Sequence, residues 1–260
     1  MKGFINRTVS GAIILLVTIL SLYFKGLPLI AYSVVVSGLC LIELFNAFKI
    51  RDLFTIIICF CFSLLTFYYI NSSNIYMILI SISFYFIINS IYYLFSNKIN
   101  IVDFSRLIFA FIYISLPMGI FLKMGFSNYI WFVYIISWGT DTFAYLVGVL
   151  FGKHKLCPNI SPKKTIEGSV GGILGAVLLS NILNYYLFKY DFVLINFMAV
   201  FASVIAEIGD LLASKIKREV GIKDFGSLIS GHGGFLDRFD SIIFVTPVIY
   251  MIFYIFGGKI

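Results

Sequence analysis

The sequence predicts an all-α polytopic membrane protein with about nine transmembrane helices, its N-terminus inside, its C-terminus outside and its chemistry at the cytoplasmic face. Three observations carry this reading. Of 260 residues, 61% are hydrophobic and 12% charged, with a mean hydropathy of +1.03. A soluble domain carries about 25% charged residues, so this chain cannot coat a globule in water. Charge-free apolar runs recur along it, and a helix crosses the hydrocarbon with about 20 such residues. The basic residues then alternate between the connecting segments as a multi-span topology requires.

The N-terminal run after Met1, Lys2 and Arg7 has no small-residue cleavage site behind it and reads as a retained first helix, over 8–24. The second span is 28–48. The next charge-free stretch, Leu53 to Asn97, holds 45 residues. As one helix it would reach roughly 68 Å, about twice the hydrocarbon thickness. Asn71-Ser72-Ser73-Asn74 breaks it, giving spans over 53–70 and 75–95. The remaining spans are 107–124, 129–151, 169–188, 192–213 and 241–257. With the N-terminus inside, 15 of the 19 basic residues fall in inside segments and 4, namely Lys25, Lys123, Lys189 and Lys259, fall outside. The net charge of +7 therefore faces anionic lipid rather than nucleic acid. Cys40, Cys59, Cys61 and Cys157 read as small apolar residues with no metal spacing. No internal repeat or soluble domain is read.

Chemistry concentrates late in the chain. Residues 141–240 hold 10 of the 19 basic residues, 9 of the 12 acidic ones and both histidines. The sequence thus divides into a transmembrane scaffold, 1–128, and a transmembrane region, 129–260, where any chemistry belongs, with inner loops over 152–168 and 214–240. Acids inside spans cost about 2.5–3.5 kcal/mol each at the bilayer centre. Glu43, close to Lys49 and Arg51, reads as an interfacial charge. Asp141, far from any basic residue in sequence, calls for a ligand or a partner from another helix. Glu207 and Asp210 share a helix face, and Asp237 and Asp240 are spaced alike where the last helix begins. Such hard oxygen donors suit Mg²⁺. In the first inner loop, Ser161-Pro162 reads as an N-cap with proline at the first helical position, which puts Lys163, Lys164 and Thr165 in a phosphate-binding first turn. In the second, glycines flank His232 shortly before the Asp237–Asp240 pair.

Ser214-x-x-Lys217-Arg218-x4-Lys223-Asp224, followed by His232-Gly233-Gly234-x-x-Asp237-Arg238-x-Asp240, resembles the signature of the phosphatidate cytidylyltransferases, or CDP-diacylglycerol synthases. Asp141-x-x-Ala144-Tyr145-x-x-Gly148-x-x-x-Gly152-Lys153, Ser161-Pro162-Lys163-Lys164-Thr165-x-Glu167-Gly168-x-x-Gly171-Gly172 and Gly209-Asp210-Leu211 extend the likeness over residues 135–245. The chain departs from the family at Ser230, Phe143, Val149 and Ala213, where relatives commonly have Pro, Gly, Arg and Glu.

The resemblance implies CTP + phosphatidate → CDP-diacylglycerol + pyrophosphate in a bacterial plasma membrane, with Mg²⁺ required, K⁺ beside it and a homodimeric assembly. It assigns catalysis to Asp210, Asp237, Lys217, Arg218, His232 and Arg238. Substrate contacts fall to Ser161, Lys163, Lys164, Thr165, Lys223, Asp224, Gly233, Gly234 and Asp141. Asp210 and Asp237 hold the metal, with Asp240 and Glu207 as further candidates. The competing readings are a CTP-dependent polyprenol or phytol kinase and, further off, an ion-coupled transporter using Asp141, Glu207 and Asp210.

Overall fold

The computed structural model describes the backbone of residues 2–226 and 233–256, and side chains of 11–226 and 233–256. The helices are α1 (Lys2–Phe24), α2 (Gly26–Phe48), α3 (Leu53–Asn71), α4 (Ile75–Phe95), α5 (Ile101–Gly125), α6 (Ile130–Phe151), α7 (Ile166–Phe188), α8 (Phe192–Glu219) and α9 (Leu236–Phe256). Eight of them, α2 to α9, are long and apolar enough to cross a membrane, and α1 adds a shorter apolar helix over Gly11–Phe24. The polytopic all-α architecture stands. The one sheet among the described residues is an antiparallel hairpin of β1 (Lys155–Cys157) and β2 (Ser161–Thr165).

Helix ends follow local chemistry. Asp52 caps α3 by accepting from Thr55 N–H, and Asn74 caps α4 by accepting from Met77 N–H. The polar break at 71–74 is thus a cap as well as a turn. Asn100 and Asp103 form a capping box that starts α5 at Ile101 rather than at 107. Inside α5 the chain widens to a π turn over Phe111–Ser115, where Leu116 N–H reaches back to Phe111 O. Pro117 follows and has no N–H to give, so the wider turn absorbs the missing bond. α8 runs about a turn and a half past 213, so Lys215, Lys217 and Arg218 stand on the helix rather than in a loop.

The chain forms two compact units, 1–126 with 222–237, and 127–221 with 238–260. The first has a core built on α2, α3 and α5: Leu29, Val36, Cys40, Leu44, Cys59, Phe111, Ile114, Met118 and Phe121 are almost fully buried. Ser63 and Ser115 hydroxyls bond across it at 2.6 Å.

The second unit is organised by α6 against α7. Gly168, Gly171, Gly172 and Gly175 line the α7 contact. A Cβ on Gly172 would stand 2.8 Å from Thr140 O, and one on Gly168 2.7 Å from Ala144 O. Only a face without side chains lets these backbones come so close. Phe143 lays its ring directly over Gly175. At one end of this unit, Tyr129, Phe132, Phe188, Tyr190 and Phe253 form an aromatic knot, with Phe132–Phe188 centroids at 5.6 Å and Tyr190–Phe253 at 5.7 Å.

Candidate active site

The first inner loop corrects the expectation for its helix start. Ser161 and Pro162 open β2, not a helix, and α7 begins at Ile166. The cap is Thr165, whose hydroxyl accepts from Gly168 N–H at 3.1 Å. Two lysines in a helix's first turn would oppose its dipole. The first turn instead holds Glu167, which suits it. Glu167 also reaches back to accept from Lys153 N–H at 3.0 Å and His154 N–H at 3.1 Å, and it pairs with His154 Nδ1 at 2.6 Å. Proline is tolerated in a short edge strand. The strand geometry also separates the lysines, because adjacent side chains point to opposite faces. Lys163 is exposed, whereas Lys164 places Nζ 2.5 Å from Asp210 Oδ2. Ser161 is half-buried and Thr165 buried.

α8 sets the other side of this cluster. Ser203, Glu207, Asp210, Ser214 and Lys217 recur every three or four residues and so lie along one face. Ser203 shares a 2.8 Å hydrogen bond with Thr140. Ser169 donates to Glu207 Oε2, while Glu207 Oε1 is buried without a hydrogen-bond partner. Ser214 donates to Asp210 at 3.4 Å. Asp141 is in electrostatic reach of Asp210, Lys164, Glu207 and Arg238, and Asp240 of Asp210, Asp141 and Lys217. Asp141 thus has basic partners, but they arrive from β2 and α9. Asp240 is buried on α9, and its Oδ1 accepts from Ser241 N–H at 2.8 Å. Arg218 and Arg238 are exposed, and Arg218 Nε donates to Ile160 O at 3.5 Å. The second unit therefore brings Asp141 of α6 and Asp240 of α9 together with Asp210 of α8, among Glu207, Lys164, Lys217 and Arg238. Among the described residues, no three His, Cys, Asp or Glu side chains stand ready as a metal cage.

The first unit holds its own set. Asp237 Oδ2 accepts from Phe225 N–H and from Gly234 N–H, each at 2.9 Å. Gly233 takes φ +84°, and a Cβ there would lie 3.0 Å from Asp237 Oδ2 and 3.4 Å from Asp224 Cβ. The Gly233-Gly234 backbone thus lies against two of the predicted acids. Lys223 and Asp224 are exposed. His232 and Ser230 lie outside the described residues. Glu43 departs from its expectation. It is 3% exposed, and it accepts from Phe235 N–H at 3.0 Å and Leu236 N–H at 2.9 Å. It binds open amides at the start of α9 rather than standing as a free charge. Its one sequence signal was an acid inside an apolar run.

Residues 5–256 match the profile of the Cytidylyltransferase family. A phosphatidate cytidylyltransferase of Staphylococcus haemolyticus is 32% identical over 252 residues, 94% of this chain and 96% of that protein. One from Staphylococcus epidermidis is 33% identical over 250 residues, with the same coverage. One from Bacillus subtilis is 41% identical over 131 residues, half of this chain. With a family profile matched almost end to end, and relatives a third identical along nearly all of their own length, this chain belongs to the cytidylyltransferase family.

Proposed function

We propose that this multi-pass membrane protein transfers the cytidylyl group of CTP to phosphatidate, releasing pyrophosphate and leaving CDP-diacylglycerol in the bilayer. The carrying observation is the full-length likeness to proteins named phosphatidate cytidylyltransferase. The kinase and transporter readings have no comparable support.

The chemistry fits the residues. A phosphatidate oxygen attacks the α-phosphorus of CTP, and the bond from that phosphorus to the pyrophosphate oxygen breaks. The nucleophile is already ionised at neutral pH and need not lose a hydroxyl proton. The obstacle is anion meeting anion, so positioning and charge neutralisation supply the rate. Lys164 stands at Asp210, and Lys217, Arg218 and Arg238 belong to the same unit. Their ammonium and guanidinium groups suit triphosphate, phosphomonoester and departing pyrophosphate.

Mg²⁺ dependence is part of the proposal. The donor set is one of hard oxygens, and Glu207 Oε1 is a buried carboxylate oxygen without a hydrogen-bond partner, the kind of group a hard cation satisfies. Mg²⁺ takes one or two carboxylates and completes its shell with water and substrate phosphates, so it needs no larger protein donor set. Asp210 and Asp237 carry the assignment, each tested by itself, with Glu207 and Asp240 as further ligands and K⁺ as the second cation. Bound, the ion would neutralise phosphate charge and orient the leaving group. An N-in, C-out orientation, supported by the basic-residue split, would put this chemistry where CTP is. A homodimer is the assembly we expect from the family resemblance.

The test is purified protein in detergent with CTP and Mg²⁺. Pyrophosphate release that depends on phosphatidate, with CDP-diacylglycerol identified by mass, supports the reading. Formation of a phosphorylated lipid and CDP would move it to the kinase class.

A further inference from the structure

We infer that Glu43, far from the reacting-residue motifs in sequence, is a positioning residue for the reaction, holding the Gly234–Leu236 backbone and through it Asp237; this rests on the proposed metal role of Asp237. Four observations in the first unit converge. Glu43 sits on α2 inside an apolar run, where an ionised carboxylate needs strong partners. Its two oxygens accept from consecutive amides, Phe235 N–H at 3.0 Å and Leu236 N–H at 2.9 Å. These are open donors at the start of α9, where the helix dipole favours negative charge. On the neighbouring residue, Asp237 Oδ2 accepts from Gly234 N–H and Phe225 N–H. Finally, a Cβ on either Gly226 or Gly234 would overlap the Glu43 carboxylate. Both stretches of the loop are therefore glycine where they pass this one side chain.

The arrangement is a two-layer clamp. Glu43 fixes the backbone at 235 and 236, and Asp237 ties the same backbone to 225. Two carboxylates binding four amides leave the start of α9 little freedom to rotate. If Glu43 only filled a polar gap in the bundle, its loss would change stability and not the behaviour of Asp237.

The experiment compares Glu43→Gln, Gly226→Ala and Asp237→Asn in detergent. Gly226→Ala removes no carboxylate and crowds Glu43, whose Oε1 the added Cβ would overlap. Three quantities are read: amide exchange at Phe235 and Leu236, the Mn²⁺ affinity measured by paramagnetic titration without substrate, and kcat and KM across Mg²⁺ concentrations. For Glu43→Gln and Gly226→Ala we expect amide exchange at least tenfold faster, severalfold weaker Mn²⁺ binding, and kcat about tenfold lower or more, with KM for CTP little changed. Glu43→Asp should recover part of kcat. Wild-type kcat and Mn²⁺ affinity in both folded variants would overturn the inference, as would unprotected Phe235 and Leu236 amides in the unmodified protein, a measurement that needs no variant to fold. Asp237→Asn separates the two claims. If it keeps wild-type turnover, the metal reading fails; if it is inactive while Glu43→Gln is normal, only the positioning role fails.

Discussion

Lys163 and Lys164 are adjacent and chemically identical, yet the hairpin gives them different work, and Lys163→Gln and Lys164→Gln should differ accordingly. Lys164 Nζ is 2.5 Å from Asp210 Oδ2, with the two side chains 22% and 26% exposed. A charge-assisted bond that Lys164 makes to phosphate oxygens in the transition state would contribute about 1.5–3 kcal/mol, and each 1.36 kcal/mol is tenfold in rate. Losing Lys164 should therefore lower kcat/KM by about 10- to 150-fold. Lys163 is exposed on the opposite face of β2, where a charge is worth about 0–1 kcal/mol, at most about fivefold. The assay is transfer of label from CTP to lipid in mixed micelles, with melting in detergent as a control for folding. A third variant, Lys164→Gln with lysine restored at Asn159 in the hairpin turn, keeps the loop's charge and should stay as impaired as Lys164→Gln. Equal losses in the two single variants, or recovery in the relocated one, would show that the segment supplies only general positive charge.

Asp210→Asn and Asp237→Asn each keep the side chain's shape but remove a charge from a proposed Mg²⁺ ligand. Each should lower turnover by about two orders of magnitude or more at ordinary Mg²⁺, and chelation should silence the unmodified enzyme until Mg²⁺ is returned. Near-normal turnover in either variant would remove that residue from the metal assignment. A cysteine added after Ile260, with the four native cysteines replaced by serine, should label with an impermeant maleimide in intact cells; labelling only after lysis would reverse the orientation. Gly172→Val should push α6 from α7, since even a Cβ meets Thr140 O at 2.8 Å. Overpacking of this kind costs about 1–3 kcal/mol, and a melting temperature equal to the parent's would contradict the close-packed face.

What sequence revealed and hid follows the range of the interactions. The break at 71–74 was legible because Asn74 caps the helix it begins, a bond of three residues' reach. The Glu207–Asp210 face was legible from helical spacing. Ser161-Pro162 misled because serine before proline suits an edge strand as well as a helix start. What decided between them was Glu167 reaching back to 153 and 154, contacts that exist only once the hairpin has closed, which leaves the cap to Thr165 on Gly168. Glu43 misled for a deeper reason. Lys49 and Arg51 are its neighbours in sequence, but its hydrogen bonds go to amides some 190 residues onward. No local pattern carries that pairing. The same limit hid the partners of Asp141, whose nearest charges arrive from β2, α8 and α9.

The aromatic knot bears on what this protein must not do. The second unit carries polar groups in sequence through its interior, from the carboxylates around Asp210 to Ser169–Glu207 and on to Thr140–Ser203. A column of that kind inside a membrane is a path along which protons or small cations could leak. Phe132 lies eight residues before Thr140 on α6, roughly 12 Å along its axis, and is fully buried among Phe188, Tyr190 and Phe253. Apolar constrictions stop ions by excluding water. The knot therefore sets an apolar layer across this unit, of the kind that keeps water from following a carboxylate-lined interior.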